Sequence, residues 1–129
     1  MEAPQLTDPF AILLGLRIDE VRPDFCRMCL PFRPAVRTAG ETVHGGALAT
    51  LIDSAGVVAA WSNVTDAPSR GATANLSVSF MAAAQAVDVF AEARVIRRGR
   101  SLVFVDIDVT DARGQPVAKG LLTYKLGYG

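Results

Sequence analysis

Apolar and polar residues alternate through most of the second half of this chain, which is the pattern of β-strands with one buried face. Four such segments follow one another, separated by short connections of polar and small residues. They are predicted over residues 73–81, 87–97, 102–110 and 117–126. The connections, including residues 82–86, are short enough to predict that strands adjacent in the chain are antiparallel neighbours in the sheet.

The N-terminal part of the chain predicts a short helix over residues 6–15. Thr7 or Asp8 can serve as its N-cap, and Pro9 takes the first helical position, where a missing N–H costs nothing. The helix is predicted to stop at Gly15, because glycine readily adopts the left-handed conformation that ends helices.

A hairpin and a loop follow this helix. Residues 16–21 and 25–30 each have strand character, and the turn signal Pro23-Asp24 separates them. Residues 31–40 hold prolines, arginines and a glycine without a periodic apolar pattern. A loop is predicted there.

One long segment is helical in length and composition. Residues 47–62 follow the pair Gly45-Gly46 and are apolar on nearly every face, which indicates a helix buried by its surroundings. About six strands are available to surround it. We therefore expect an α+β fold in a single domain, residues 1–129, with an antiparallel sheet wrapped around one long central helix.

Composition and charge narrow the function classes. Half of the residues are apolar, which is ample for one core, and 13 basic residues balance 13 acidic ones. This balance gives no reason to expect nucleic acid or an anionic membrane as the main partner. The N-terminus has no basic region followed by an apolar core, and no uncharged apolar run reaches about 20 residues. A cytoplasmic protein without a membrane helix is expected.

Cys26 and Cys29 have the C-x-x-C spacing of redox and zinc sites. Residues three apart on a strand, however, point to opposite faces. Zinc also needs further ligands, and the chain has one histidine and no other cysteine. Two packed thiols and no metal site are therefore expected.

The stretch over residues 42–56 carries the most chemistry. It holds the only histidine, His44, and a carboxylate, Asp53, within an apolar helical segment. Such a carboxylate needs hydrogen-bond partners, a wet cleft or a reactive role. The Gly45-Gly46 pair places backbone N–H groups at the positive end of the helix, where they can polarise a carbonyl that Asp53, or a water it activates, attacks. Structural roles stay open for both side chains, and the G-x-S-x-G motif of a serine hydrolase is absent.

The sequence His-Gly-Gly-Ala-Leu-Ala-Thr-Leu-Ile-Asp-Ser-Ala, which starts at His44, closely resembles the HGG-x(6)-D signature of hotdog-fold thioesterases of the phenylacetate-degradation (PaaI) type. The resemblance extends from about Phe10 to Tyr124 and includes Thr-Ala-Asn-Leu-Ser-Val-Ser-Phe-Met, Val-Ile-Arg-Arg-Gly-Arg-Ser-Leu-Val-Phe and Gly-Gln-Pro-Val-Ala-Lys-Gly. It implies a hotdog fold and hydrolysis of an acyl-CoA thioester, with coenzyme A as part of the substrate and no cofactor. It also implies a homodimer that assembles into a homotetramer.

The resemblance implies roles for individual residues. Gly45 would donate its backbone N–H to the thioester carbonyl, and Asp53 would be nucleophile or general base, reaching from the facing subunit of the dimer. His44 would hold the turn or touch the substrate. Thr73 would help to place the attacking water, although threonine also suits an ordinary strand position. Further substrate contacts are expected from Gly46, Thr50 and Ser54. Many relatives carry an Asn shortly before the HGG, where this chain has Arg-Thr-Ala-Gly-Glu.

Residues 97–101, Arg-Arg-Gly-Arg-Ser, form the only dense basic cluster. A solvated hairpin tip would explain it, but arginines around a glycine also bind phosphates. Because the resemblance places the CoA nucleotide near this turn, phosphate contacts are expected there, with Arg70 as a further candidate. The expected contacts are Arg98, Gly99, Arg100 and Ser101.

The acyl pocket is expected to be lined by Val57, Val58 and Trp61 together with the loop of residues 31–40, which suits a medium-chain or aryl group. Two alternatives remain: a non-catalytic acyl-CoA binding or regulatory protein of the same fold, and a hydratase or dehydratase. A pure binder would gain nothing from the Asp53 carboxylate beside a thioester. The hydratase would need a closer pairing than that of Asp53 with His44.

Overall fold

A computed structural model describes residues 6–129 as one sheet crossed by one long helix. In chain order the elements are α1 Pro9–Leu14, β1 Arg17–Arg22, β2 Phe25–Leu30, a 3-10 turn Pro34–Val36, α2 Gly45–Trp61, β3 Arg70–Phe80, β4 Val89–Arg98, β5 Leu102–Asp111 and β6 Pro116–Gly127. The prediction that no leader is present rests partly on residues 1–5, which lie outside this range. No helix within residues 6–129 is long and apolar enough to cross a membrane.

The six strands lie in the order β1-β2-β4-β5-β6-β3, and each neighbouring pair is antiparallel. This confirms the predicted α+β architecture with one long and one short helix. The short helix begins and ends as predicted, because the Asp8 carboxylate accepts a hydrogen bond from the Phe10 N–H and Gly15 adopts a φ of 77°.

The prediction that β3 and β4 are neighbours is wrong, because β3 pairs with β6 at one edge of the sheet. Residues 81–88 instead carry the chain past β6 and β5, a distance of about 14 Å at the usual spacing between strands. This crossover is tied to the segment before α2: the Val43 N–H donates to the Ala84 carbonyl and the Ala86 N–H to the Glu41 carbonyl, each at 2.9 Å. Periodicity shows that strands exist and does not show their order.

The helix α2 starts at Gly45, two residues before the predicted start, because His44 caps it. The predicted loop over residues 31–40 includes the 3-10 turn Pro34–Val36. The helix is also less enclosed than its apolar sequence predicted. Its sheet-facing side is fully buried, whereas its opposite side, which includes Asp53 and Val57, is only half-buried in the single chain.

Two glycines let α2 approach the sheet closely. A Cβ atom on Gly120 of β6 would lie 2.4 Å from Ile52 Cγ2, and one on Gly56 would lie 2.4 Å from Leu122 Cδ2. Both distances are far inside van der Waals contact, so the side chains of one element fill the space that the glycine of the other leaves. These contacts fix the rotation of α2 over the sheet.

We expect Gly120→Ala to lower the free energy of unfolding by about 1–3 kcal/mol, because the new methyl group overpacks the core. Urea unfolding measures this loss. In the double variant Ile52→Ala/Gly120→Ala the methyl group enters the space that Ile52 leaves, so the double variant should be more stable than the sum of the single changes. Strictly additive effects would contradict the close approach.

Candidate active site

The first turn of α2 is built around His44. This residue has extended backbone dihedrals and accepts a hydrogen bond from the Gly46 N–H on Nδ1 at 2.8 Å. Its carbonyl accepts from the Ala47 N–H, and its own N–H donates to the Val36 carbonyl. The Nδ1 atom is therefore the acceptor that caps this turn. His44 therefore holds the turn, as one of its two expected roles required.

The cap distinguishes the two glycine N–H groups. The Gly46 N–H is occupied by His44, whereas the Gly45 N–H, at the first helical position, has no intrahelical acceptor. The Gly45 N–H donates no hydrogen bond within residues 6–129. Gly45 lines a cavity of about 520 Å³ together with His44, Leu48, Phe80 and Met81. Of the pair, Gly45 is the available donor.

Asp53 meets Thr73 across the gap between α2 and β3. The Thr73 hydroxyl donates a hydrogen bond to Asp53 Oδ1 at 2.7 Å. The structure thus brings together two residues that lie twenty positions apart and that the sequence singled out separately. The contact leaves Asp53 Oδ2 without a described partner, and it lies at the exposed edge of the sheet.

A β-bulge gives Thr73 this orientation. The register of β3 against β6 shifts between Thr73 and Asn75, so that Thr73 pairs with the buried Tyr124 and Leu76 pairs with the buried Leu122. Without the extra residue, Thr73 would share a face with Asn75 and Ser77, away from the helix. Bulges often re-aim a side chain in this way beside functional sites.

Thr50 and Ser54 lie on the outer side of α2 and are half-buried. The Thr50 hydroxyl donates to the Gly46 carbonyl at 2.8 Å, which is the usual bond of a helical threonine to the preceding turn. No hydrogen bond of the Ser54 hydroxyl occurs among the described residues. Their expected substrate contacts stay predictions.

The basic turn divides into two parts. The guanidinium of Arg98 donates to Asp24 Oδ1 at 2.8 Å and 3.1 Å and to the Ala60 carbonyl at 3.0 Å. Arg98 thus caps the negative end of α2 and ties it to the β1–β2 turn. A phosphate bound to this side chain would have to compete with these bonds. The sequence did not predict them, because an arginine that caps a helix cannot be told from one that binds a ligand by residue type alone.

Arg100 is more accessible. Its side chain is 68% exposed, lies 3.4 Å from Asp66 and stacks on the Tyr128 ring at 4.1 Å. Gly99 and Arg100 line a cavity of about 300 Å³ with Asn63 and Asp66. Ser101 and Arg70 are exposed at the same end of the molecule, where the Ser101 carbonyl accepts from the Leu126 N–H.

The predicted lining of a single acyl pocket is divided among separate cavities in the single chain. Val57, Val58 and Trp61 line one of about 370 Å³ with residues of the N-terminal segment and β1. The loop contributes Ala35–Arg37 to a second cavity of about 280 Å³ and Thr38 to the cavity at Gly45. The division follows from the path of α1, which crosses α2 between the first two of these cavities.

The two cysteines are free and buried, on opposite faces of β2, as expected. Burial raises the pKa of the Cys26 thiol to about 12 and that of Cys29 to about 11. Thiols with such pKa values stay protonated at neutral pH and are poor nucleophiles. Within residues 6–129 no three potential ligands come together as a metal site.

The sequence around this site matches a known protein family. Residues 40–118, more than half of the chain, match the family described as the Thioesterase superfamily. The chain belongs to the thioesterase superfamily. Human acyl-coenzyme A thioesterase 13 is 33% identical over 88 residues, which cover 67% of this chain and 61% of that protein.

Solved structures of the superfamily share the fold. A thioesterase family protein from Silicibacter pomeroyi has a TM-score of 0.86 at 25% identity and covers 95% of this chain and 91% of its own. A Streptococcus pneumoniae protein described as a hypothetical thioesterase with coenzyme A has a TM-score of 0.79 at 21% identity, covering 88% and 86%. The E. coli PaaI protein from the phenylacetic acid degradation operon has a TM-score of 0.85 at 20% identity, covering 95% and 87%. The expected hotdog fold is confirmed.

The thioesterase-superfamily match includes the start of α2, Asp53, Thr73 and the basic turn, but not α1, β1 or β2. Two features of the site could not be predicted from the HGG-x(6)-D signature. One is the capping role of His44, a residue type that is uncommon at N-caps. The other is Asp24, itself a turn residue with a φ of 64°, whose carboxylate accepts from Arg98 at the end of α2.

We expect Arg98→Ala to lower the free energy of unfolding by about 1–3 kcal/mol, because the variant removes the guanidinium that donates to Asp24 and to the Ala60 carbonyl at the end of α2. Arg100→Ala should change it by less than about 0.5 kcal/mol, since that side chain is exposed. Thermal or urea unfolding of the two variants tests the difference. Equal stability of both would contradict the capping role.

Proposed function

We propose that the protein hydrolyses an acyl-CoA thioester, with a medium-chain or aryl acyl group, to a free acid and coenzyme A. The observation that carries this proposal is the hydrogen bond from Thr73 to Asp53 Oδ1 at 2.7 Å, on the helix whose first N–H, that of Gly45, is free. The names of the human relative and of the pneumococcal structure with coenzyme A support the choice of substrate class.

The proposal needs two copies of the chain. Gly45 and Asp53 are eight residues apart on one helix, which separates them by about 12 Å along its axis. A single carbonyl cannot lie within about 3 Å of both. A dimer in which two α2 helices run antiparallel would bring Gly45 of one copy to Asp53 of the other, and symmetry would make two such sites. We propose this homodimer, and a homotetramer built from it.

The edge strand β3 supports this arrangement. Its outer side has no partner strand within residues 6–129, and nine of its eleven residues are exposed. Pairing of two β3 strands would continue the sheet through both copies and cover that edge. It would also bring each Asp53–Thr73 pair to the interface.

In the reaction, the Gly45 N–H stabilises the negative charge that develops on the carbonyl oxygen. Thr73 holds one oxygen of the Asp53 carboxylate and leaves the other to act. As a nucleophile, that oxygen attacks the carbonyl carbon, expels the CoA thiolate and leaves an anhydride, which water hydrolyses to the acid. As a general base, it takes a proton from the water that attacks.

The phosphates of coenzyme A would bind at the basic turn. Arg100 and the backbone of residues 99–101 are accessible there, whereas Arg98 is engaged with Asp24. Under this proposal Arg100 carries the charge that the nucleotide meets, and Arg98 keeps the turn in place.

We expect Asp53→Asn to lower kcat for acyl-CoA hydrolysis by at least about a hundredfold, because the amide can neither attack nor accept the proton. Release of free CoA thiol measures the rate. Asp108→Asn is the matched control, since Asp108 is an exposed carboxylate on the outer face that pairs with Lys119. A wild-type protein that binds but never hydrolyses acyl-CoA would favour the non-catalytic alternative.

Gly45→Pro tests the backbone donor. Proline removes the N–H at the first helical position, where it is tolerated, and His44 already has dihedrals of −63° and 134° that suit a residue before proline. A Cβ here would lie 3.6 Å from Phe80, an ordinary contact. The variant should lose most activity, whereas Gly45→Ala, which keeps the N–H, should retain it.

Mixing of variants tests the two-chain site. Asp53→Asn and Gly45→Pro are each expected to be nearly inactive alone. Coexpressed in equal amounts they should recover about a quarter of wild-type activity, because about half of the dimers are mixed and each of those has one complete site. Absence of recovery in a protein shown to contain mixed dimers would place Gly45 and Asp53 in separate or single-chain sites.

A further inference from the structure

The outer side of α2 offers an apolar path away from Asp53. Val57 and Trp61 follow Asp53 at intervals of four residues, so the three side chains form one stripe along the helix. All three are half-buried, and the two that follow Asp53 are apolar. The stripe ends at Trp61, about 12 Å along the axis from Asp53.

Val57 and Trp61 of this stripe also line the cavity of about 370 Å³ between α2, β1 and the N-terminal segment. Most of its lining is apolar: Leu6, Ile18, Val21, Val57, Val58 and Trp61. Two of its polar side chains are engaged within the chain. Asp8 accepts from the Phe10 N–H, and the Ser62 hydroxyl accepts from the Asp24 N–H and donates to the Ala59 carbonyl. An apolar occupant therefore leaves these internal hydrogen bonds in place.

Trp61 forms a fixed wall of this cavity. Its indole N–H donates to the Tyr124 hydroxyl at 2.9 Å, and the two rings pack edge to face at 6.4 Å between centroids. Tyr124 in turn lies against Gly71, where a Cβ atom would come within 2.2 Å of the hydroxyl. Because Tyr124 has no room to move toward β3, the indole it holds limits how far an occupant can extend.

We infer that this cavity receives the far end of a straight acyl chain of about ten carbons, since an extended chain gains roughly 1.25 Å per carbon over the 12 Å from Asp53 to Trp61. The inference rests on the proposed function and decides between its two acyl classes. A ring attached one or two carbons from the carbonyl would end near Val57 and would not reach the part of the cavity at Trp61. The substrate class is therefore a straight medium-chain acyl-CoA.

Two measurements test this. The first is kcat/KM for straight acyl-CoAs of two to fourteen carbons and for phenylacetyl-CoA, in the wild type, Val58→Phe and Ile96→Phe. Val58 lines the cavity, whereas Ile96 is 63% exposed on β4 and is the matched control. We expect kcat/KM to rise roughly threefold per methylene up to about ten carbons and then to level off. Val58→Phe should abolish the rise beyond about six carbons and keep butanoyl-CoA turnover, whereas Ile96→Phe should keep the wild-type profile.

The second measurement uses Trp61, the only tryptophan in the chain, as a fluorescent reporter. In the slow variant Asp53→Asn, decanoyl-CoA should shift or quench its emission saturably, and coenzyme A alone, butanoyl-CoA and phenylacetyl-CoA should not. Emission that responds equally to decanoyl-CoA and to coenzyme A, or a Val58→Phe chain-length profile like that of the wild type, would overturn the inference.

The two proposals fail separately. If the wild type hydrolyses no thioester while Trp61 responds to decanoyl-CoA and not to coenzyme A, the chain site stands and hydrolysis fails. If hydrolysis is strong but independent of chain length and Trp61 is silent, hydrolysis stands and the chain site fails.

Discussion

The close approach of α2 to the sheet is the constraint on which the candidate site depends. Gly56 and Gly120 each accept a side chain of the other element where a Cβ atom would collide. This contact fixes both the height and the rotation of the helix. Asp53 consequently emerges toward β3 rather than toward the core, and Gly45 reaches the end of the sheet near Phe80. A looser helix could keep its apolar burial and still lose the 2.7 Å contact between Asp53 and Thr73.

The sequence predicted those parts of the fold that depend on local patterns. Alternation located five of the six strands, and the Pro23-Asp24 turn signal helped to locate β2. The residues around Pro9 and Gly15 located α1, because capping residues occur at fixed positions relative to a helix. The order of the strands in the sheet has no comparable local pattern in the sequence. The position of β3 beside β6 depends on pairs of residues that lie between 38 positions apart (Phe80 and Ala118) and 57 positions apart (Arg70 and Gly127). The short segment before β4 has the length of a hairpin connection, although it is a crossover.

The site shows the same division between local and long-range information. The HGG-x(6)-D spacing singled out Gly45 and Asp53, but only the structure shows that His44 occupies the Gly46 N–H and leaves that of Gly45 free. The role of Arg98 could not be predicted either, since its carboxylate partner Asp24 lies 74 residues earlier and its other acceptors are helix carbonyls. The orientation of Thr73 depends on a one-residue bulge, which periodicity alone reads as an irregular strand.

The single chain forms a complete hydrophobic core, but the proposed active site needs a second copy. Both properties follow from the way α2 lies on the sheet. A helix that lies on a sheet packs one side against it and leaves the opposite side uncovered. In this chain the uncovered side of α2 carries Asp53, Val57 and Trp61, all half-buried. It lies beside the edge strand β3, which is exposed along most of its length. Partly exposed apolar side chains and long free edges are liabilities for a solitary protein. The proposed second copy would cover the edge of β3, and the proposed acyl chain would cover the stripe. The free edge of β3 and the partly exposed side chains of α2 are thus the same features that the proposed reaction uses.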